Sequence, residues 1–154
     1  MRHILFVALI LLPNFGFSAE GNKLVSKQSS LSVAETVAKI VAAVNKRKGN
    51  IFIKIDYQKI AKTRGISIEP NQLLIIGKLF PKLGSGIQLI QADPLVGIDL
   101  PLKILVYRDK HQQVWVSYTA GDYFEKRYNI VGKEKYAMAI DRVMHEIVNE
   151  ALID

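Results

Sequence analysis

Residues 71–77 read NQLLIIG, and the fold turns on how that stretch is read. Leu73, Leu74, Ile75 and Ile76 follow one another without a polar break. Successive side chains of a strand point to opposite faces, so an unbroken aliphatic run predicts a strand covered on both. Its sheet partners lie downstream. ILVY at 104–107 and VWVSY at 114–118 are rich in β-branched and aromatic residues, and the turn-forming segment 109–113 separates them. Period-two alternation sets Ile104 and Val106 on one face and Leu105 and Tyr107 on the other. In the same way Val114, Val116 and Tyr118 oppose Trp115 and Ser117.

Upstream, Leu24 and Val25 within residues 22–28 predict a short first strand. Ser32 and Glu35 have the spacing of a capping box, in which each side chain satisfies a backbone N–H left orphaned at a helix start. Val33, Val37, Ile40, Val41 and Val44 then recur at helical spacing as one buried stripe. Lys46, Arg47 and Lys48 suit the negative end of that helix, and Gly49 is its expected left-handed stop. Ile51, Ile53, Ile55 and Tyr57 alternate with Phe52, Lys54 and Asp56, which predicts a strand with one apolar face. Asp56 is the expected cap of a two-turn helix over 58–64, ended by Gly65. Beyond the central strand, Pro81, Gly84 and Gly86 mark a loop that lacks the glycine spacing of phosphate and dinucleotide sites. A short helix is predicted over 87–92, before Pro94. Another runs from an Asp122 cap through Tyr128, with Asn129 as its stop. The last helix spans about 133–152, with Tyr136, Ile140, Val143, Met144, Ile147, Val148 and Ala151 as its stripe.

Composition bounds the class. Hydrophobic residues make up 49% and charged residues 23%, the balance of a globular chain. A length of 154 residues predicts one domain, over 19–154, able to bury a core without a covalent staple. Cysteine is absent, which excludes disulfides, thiol nucleophiles and thiolate metal sites. Residues 1–18 read as a signal peptide. Arg2 and His3 precede the apolar run Ile4–Leu12, and the small residues Gly16 and Ser18 predict cleavage after Ser18. That run is far shorter than the roughly 20 residues of a membrane span, so no transmembrane segment is expected in the mature chain. The expected location is periplasmic or secreted. A net charge of +7 draws the chain to anionic surfaces. Export argues against nucleic acid and leaves anionic lipid or polysaccharide. The clusters Lys46–Lys48 and Lys59, Lys62 and Arg64 are read first as solvated helix faces.

Three stretches carry a family resemblance. They are SVAETVAKIVAAVNKRKG followed by IFIKID within 32–56, LLIIG at 73–77, and GSGIQLIQADPLVGIDLPLKILVYRD followed by VWVSY within 84–118. Together they resemble the bacterial domain-of-unknown-function 302 family over about residues 22–130. The DLPLK of Asp99–Lys103 running into a strand is the most specific part. The resemblance implies an α+β fold of β-α-β(4)-α type: an antiparallel five-stranded sheet with helices packed on one face. It also implies a homodimer, and it supplies no activity. The family usually has His where this chain has Tyr57, Gly-Asn-Pro where it has Gly77, Lys78 and Leu79, and Arg-His-Gly where it has Arg127, Tyr128 and Asn129. Chemistry that needs imidazole at those points is not expected here.

Elimination narrows the chemistry further. His111 falls in a turn and His145 on the last helix, with no second ligand at zinc spacing, so no metal is expected. Ser85 sits in Gly-Ser-Gly, but the G-x-S-x-G elbow of a serine hydrolase is missing. No cofactor motif is present. Asp56, Asp93 and Asp99 remain as acid–base candidates, two of which could converge with split pKa values. Each also has a structural role in prospect: Asp56 a cap, Asp93 a turn before Pro94, Asp99 a partner for Lys103. A small apolar or anionic ligand would be looked for among Tyr57, Lys78, Gln88, Asp99, Lys103 and Tyr118, with Trp115 on the face opposite Tyr118. The leading reading is a non-catalytic ligand-binding or interaction module of the cell envelope. The alternative is a small carboxylate-dependent hydrolase or isomerase, and a third reading makes the dimer itself the function.

Overall fold

The computed structural model describes residues 24–77 and 85–153. The expected signal peptide and Lys78 lie outside those residues. The elements are β1 (Leu24–Ser29), α1 (Val33–Lys46), β2 (Asn50–Asp56), α2 (Tyr57–Lys62), β3 (Asn71–Gly77) and α3 (Ser85–Ala92). A 3-10 turn over Pro94–Ile98 follows, then β4 (Leu102–Arg108), β5 (Val114–Thr119), α4 (Asp122–Arg127) and α5 (Glu134–Leu152). The five strands form one antiparallel sheet in the order β1-β5-β4-β3-β2. This is the α+β architecture that the sequence leads one to expect. One detail differs: the middle strand is β4, and the aliphatic strand β3 lies next to the edge.

Helices α1 and α5 pack together over one face of this sheet. The capping box forms as predicted: Ser32 accepts from the N–H of Glu35 at 3.3 Å, and the Glu35 carboxylate takes the N–H of Ser32 at 3.0 Å. Val33, Val37, Ile40 and Val44 of α1 join Ile140, Met144, Ile147 and Val148 of α5 in a core with Leu74, Ile76, Ile104, Val106, Val116 and Tyr118. Charges tie the two helices at the rim. Glu150 of α5 accepts from Lys46 at 2.8 Å and from Arg47 at 2.6 Å. The left-handed residue after α1 is Lys48, φ 58°, rather than Gly49. Asn129 likewise does not supply the stop of α4: its neighbour Tyr128 is already extended. Asp122 is not the cap of α4 but its first residue, where its carboxylate pairs with Lys126 at 2.6 Å.

The run 73–76 is not buried on both faces, contrary to what its sequence implies. Leu74 and Ile76 are fully buried, whereas Leu73 and Ile75 keep part of their surface in water. Four adjacent aliphatics therefore reflect two different environments, one under helices and one left partly in water. Strand β2 departs further. Ile51 stands opposite Ile76 and Ile53 opposite Ile75, so Phe52 is the extra residue of a bulge. A bulge reverses the parity of everything after it. The single apolar face expected for Ile51, Ile53, Ile55 and Tyr57 is thus split, with Ile51 against the core and Ile53 51% exposed. Gly77 makes room for the bulge, because a Cβ there would fall 2.3 Å from the Phe52 ring.

Candidate functional site

Two regions gather side chains that chemistry or binding could use. The first lies where the chain enters β4. Asp93 opens the 3-10 turn by accepting from the N–H of Leu95 at 2.9 Å, and its second oxygen accepts from the N–H of Asn129 at 3.2 Å. That carboxylate fastens the turn to the end of α4. At the far end of the turn, the carboxylate of Asp99 accepts the hydroxyl of Tyr128 and lies 3.5 Å from the guanidinium of Arg127. Arg127 is also stacked over the rings of Tyr123 and Tyr128, at 5.4 and 5.6 Å. Tyr123 and Tyr128 meet edge-on at 6.5 Å, and the buried Phe124 stacks on Tyr128 at 6.4 Å. Loss of hydration, followed by the Asp99 carboxylate, pushes the Tyr128 hydroxyl up to about 12. Tyr123 is raised for the same reasons. The group is a neutral hydroxyl donor, a carboxylate and a cation held in fixed relation.

The second region is the other face of the sheet. Register places Ile53, Ile75 and Lys103 in one row across it. A second row is Ile55, Leu73, Leu105, Ser117 and Ser26, and a third is Asn71, Tyr107, Trp115 and Gln28. None of the seven large apolar and aromatic side chains in these rows is buried. The Trp115 indole N–H donates to Asp109 at 3.0 Å, which fixes its ring on this face. Beside the sheet, an open groove of about 630 Å³ is lined by Asp56, Gln58, Lys59, Lys62, Gly65, Ile66, Ser67 and Ile68.

The model of the domain of unknown function DUF302 matches residues 25–150. This chain belongs to the DUF302 family. A crystal structure of an uncharacterised conserved DUF302 protein from Bacillus stearothermophilus superposes with a TM-score of 0.72, over 84% of this chain and 98% of that one. The sequences are 14% identical, so that likeness speaks for the fold. Proteins from Brucella suis and Brucella abortus, named fluoride-specific ion channel FluC 1, are each 30% identical over 107 residues, or 70% of this chain. The chain spans about two-fifths of the length of these curated relatives: 41% of the first and 38% of the second.

The expected ligand shell of this DUF302 chain does not assemble as one. Asp99 and Lys103 are brought together, but through the backbone: the Lys103 ammonium donates to the carbonyls of Asp99 and Pro101, each at 3.1 Å. The Asp99 carboxylate is taken by Tyr128 and Arg127 instead. Gln88 accepts from Lys133 at 2.8 Å and bridges α3 to the start of α5. Tyr118 is a core residue, 2% exposed under the helices, and lines no surface. Tyr57 opens α2 at the opposite end of the sheet. Asp56 beside it pairs with Gln72 near the start of β3, whereas Asp99 lies just before Leu102, whose partner Ile76 is near the end of β3. A paired Asp56–Asp99 carboxylate site is therefore ruled out by register. Asp56 caps α2 through the N–H of Lys59 at 2.9 Å. Tyr123, Arg127 and Tyr128 were missed by sequence reasoning. Their signal was present: Arg127 and Tyr128 replace the family's Arg-His-Gly, and Tyr123 stands four residues before Arg127, one helical turn away. Among the described residues, no three His, Asp or Glu side chains converge as a metal site, and no helix is long and apolar enough to cross a membrane.

Proposed function

We propose that this DUF302 chain is a non-catalytic binding and interaction module of the cell envelope, and that the uncovered face of its sheet is the working surface. One observation carries the reading. Ile53, Ile55, Leu73, Ile75 and Leu105 form a continuous aliphatic band, flanked by Tyr107 and Trp115, with part of every side chain in water. Water around such a band is unfavourable, and contiguous exposed apolar surface marks an interaction site. The occupant is a second copy, pairing the same face with itself about a twofold axis. A small apolar or anionic molecule is the ligand class that this face and the neighbouring groove suit. The basic, apolar, then small-residue order of residues 1–18 supports export with cleavage near Ser18. Shared sequence with Brucella chains named as ion channels fits work beside a membrane.

Sedimentation equilibrium of the wild type and of Leu105→Glu tests this. The wild type is expected to be a dimer and the variant a folded monomer, with its helical and strand dichroism intact. A wild type that stays monomeric, or a variant that dimerises equally well, contradicts the reading.

The fixed Asp99, Tyr128 and Arg127 group favours one alternative, a carboxylate-dependent hydrolase or isomerase. In that case Asp99→Asn abolishes turnover of a substrate found by screening and leaves the melting temperature within a few degrees. Turnover that survives the substitution removes this alternative.

A further inference from the structure

Two basic runs lie at the C-terminal ends of helices in this chain, and they are used differently. At the end of α1, Lys46 and Arg47 both pair with Glu150, and Glu146 lies 3.8 Å from Arg47. Elsewhere Arg108 pairs with Glu69 at 2.6 Å and Lys126 with Asp122. The run on and after α2 has no such partner. Residues 57–68, YQKIAKTRGISI, contain Lys59, Lys62 and Arg64 and no acidic residue. Among the described residues, no carboxylate lies within ion-pair distance of these three side chains. The nearest acids in sequence are already engaged: Asp56 caps the helix, and Glu69 holds Arg108 and Gln112.

The same segment exposes apolar side chains. Ile66 is 55% exposed, and Tyr57, Ile60 and Ile68 are each more than a third exposed. No residue of α2 is buried. A six-residue helix is marginal by itself. Here it is fixed at both ends, by the Asp56 cap and by Gly65, whose φ of 70° lets the N–H of Ile66 return to the carbonyl of Ala61 at 3.0 Å. The outcome is a segment held at both ends, in which three cations without a carboxylate partner among the described residues and three exposed isoleucines lie within ten residues.

We propose that residues 57–68 dock the protein on an anionic phospholipid surface. Cations of this kind are attracted to phosphate headgroups, while the apolar side chains beside them reach the boundary of the acyl chains. A soluble polyanion would satisfy the charges and leave the isoleucines in water, so the pairing of charge with exposed apolar surface favours a membrane over an acidic polysaccharide. The proposal does not rest on pairing through the sheet face, and its readout is vesicle binding whatever the oligomeric state.

Vesicle flotation of the full chain tests it, on phosphatidylcholine alone and on phosphatidylcholine containing phosphatidylglycerol. Residues 1–23 are common to every variant, so differences between variants report the platform. The wild type is expected to bind the anionic vesicles more tightly than the neutral ones. Replacing three surface cations (Lys59→Gln, Lys62→Gln and Arg64→Gln together) should weaken that binding about a hundredfold. Ile60→Ser with Ile66→Ser should weaken it while leaving binding to dextran sulfate unchanged. Because all five side chains are exposed, melting temperatures should stay with the wild type. Equal binding to both vesicle types overturns the proposal, as does a triple cation variant that binds anionic vesicles like the wild type. An isoleucine variant that binds them undiminished overturns it too, in favour of a plain polyanion site.

Discussion

Ile104 and Leu105 are neighbours on β4 and belong to different halves of the molecule. Ile104 points under α1 and α5 and is completely buried; Leu105 points the other way and keeps part of its surface in water. Each has apolar cross-strand partners: Leu74 and Tyr118 for Ile104, and Leu73 for Leu105. The difference is what lies above them. One face of the sheet is roofed by helices and holds the fold together, whereas on the other the similar residues Leu73, Ile75 and Leu105 stay partly in water among the described residues. The partly hydrated face therefore adds less to stability than the roofed one.

The largest effect that sharpens this contrast is in the core. Ile104→Ala should lose about 2–5 kcal/mol, the lost transfer energy plus a cavity under the helices. Leu105→Ala should lose about 1 kcal/mol or less in the monomer, since its side chain is already partly hydrated. Urea unfolding at low protein concentration measures both. Equal losses would mean that the two faces are equally covered.

Next comes the bulge that carries β2 from one face to the other. Gly77→Ala should cost about 1–3 kcal/mol, because the new methyl meets the Phe52 ring at 2.3 Å. In a double-mutant cycle, Phe52→Ala should cancel most of that loss. If the two substitutions simply add, Phe52 does not seat on Gly77 and the parity change of β2 needs another cause.

The roof itself gives smaller effects. Ser32→Ala should cost about 1 kcal/mol by removing the acceptor for the Glu35 N–H. Thermal unfolding reads it, and an unchanged melting temperature would show that the capping box contributes nothing in this context. Acid should loosen the roof through Glu150, whose carboxyl is held below the usual range by Lys46 and then Arg47. A depressed folded-state pKa adds stability above the unfolded value of 4.5, and that stability is lost as pH falls through the lower folded value. The melting temperature of the wild type should therefore drop more steeply below pH 4.5 than that of Glu150→Gln. Parallel curves would remove the α1–α5 clamp from the account.

Local chemistry was legible in the sequence to the extent that it was local. Ser32 and Glu35 are three residues apart, and the box they form depends on nothing distant. The β4–β5 hairpin follows from alternation and a turn, and the prediction that Trp115 and Tyr118 point to opposite faces holds. Alternation gives parity, however, and not which parity is covered. For that reason alternation alone leaves Tyr118 free to face a ligand, whereas it lies in the core, and the run Leu73–Ile76 implies burial on both sides, whereas Leu73 and Ile75 stay partly in water. The bulge at Phe52 was hidden because its cause, the bare backbone of Gly77, lies on another strand. At the polar cluster, Asp99 was legible as a loop carboxylate, but its partner Tyr128 is 29 residues away. Lys103, the nearer partner in sequence, donates to the carbonyls of Asp99 and Pro101 instead.

The most direct test of the open face is hydroxyl-radical footprinting of the wild type across a range of protein concentrations. The account predicts that Ile53, Ile75, Leu105 and Trp115 lose reactivity together as the chain is concentrated, while exposed Leu95 and Ile98 on the 3-10 turn stay as reactive as in dilute solution. Unchanged reactivity of those four side chains at every concentration would contradict it.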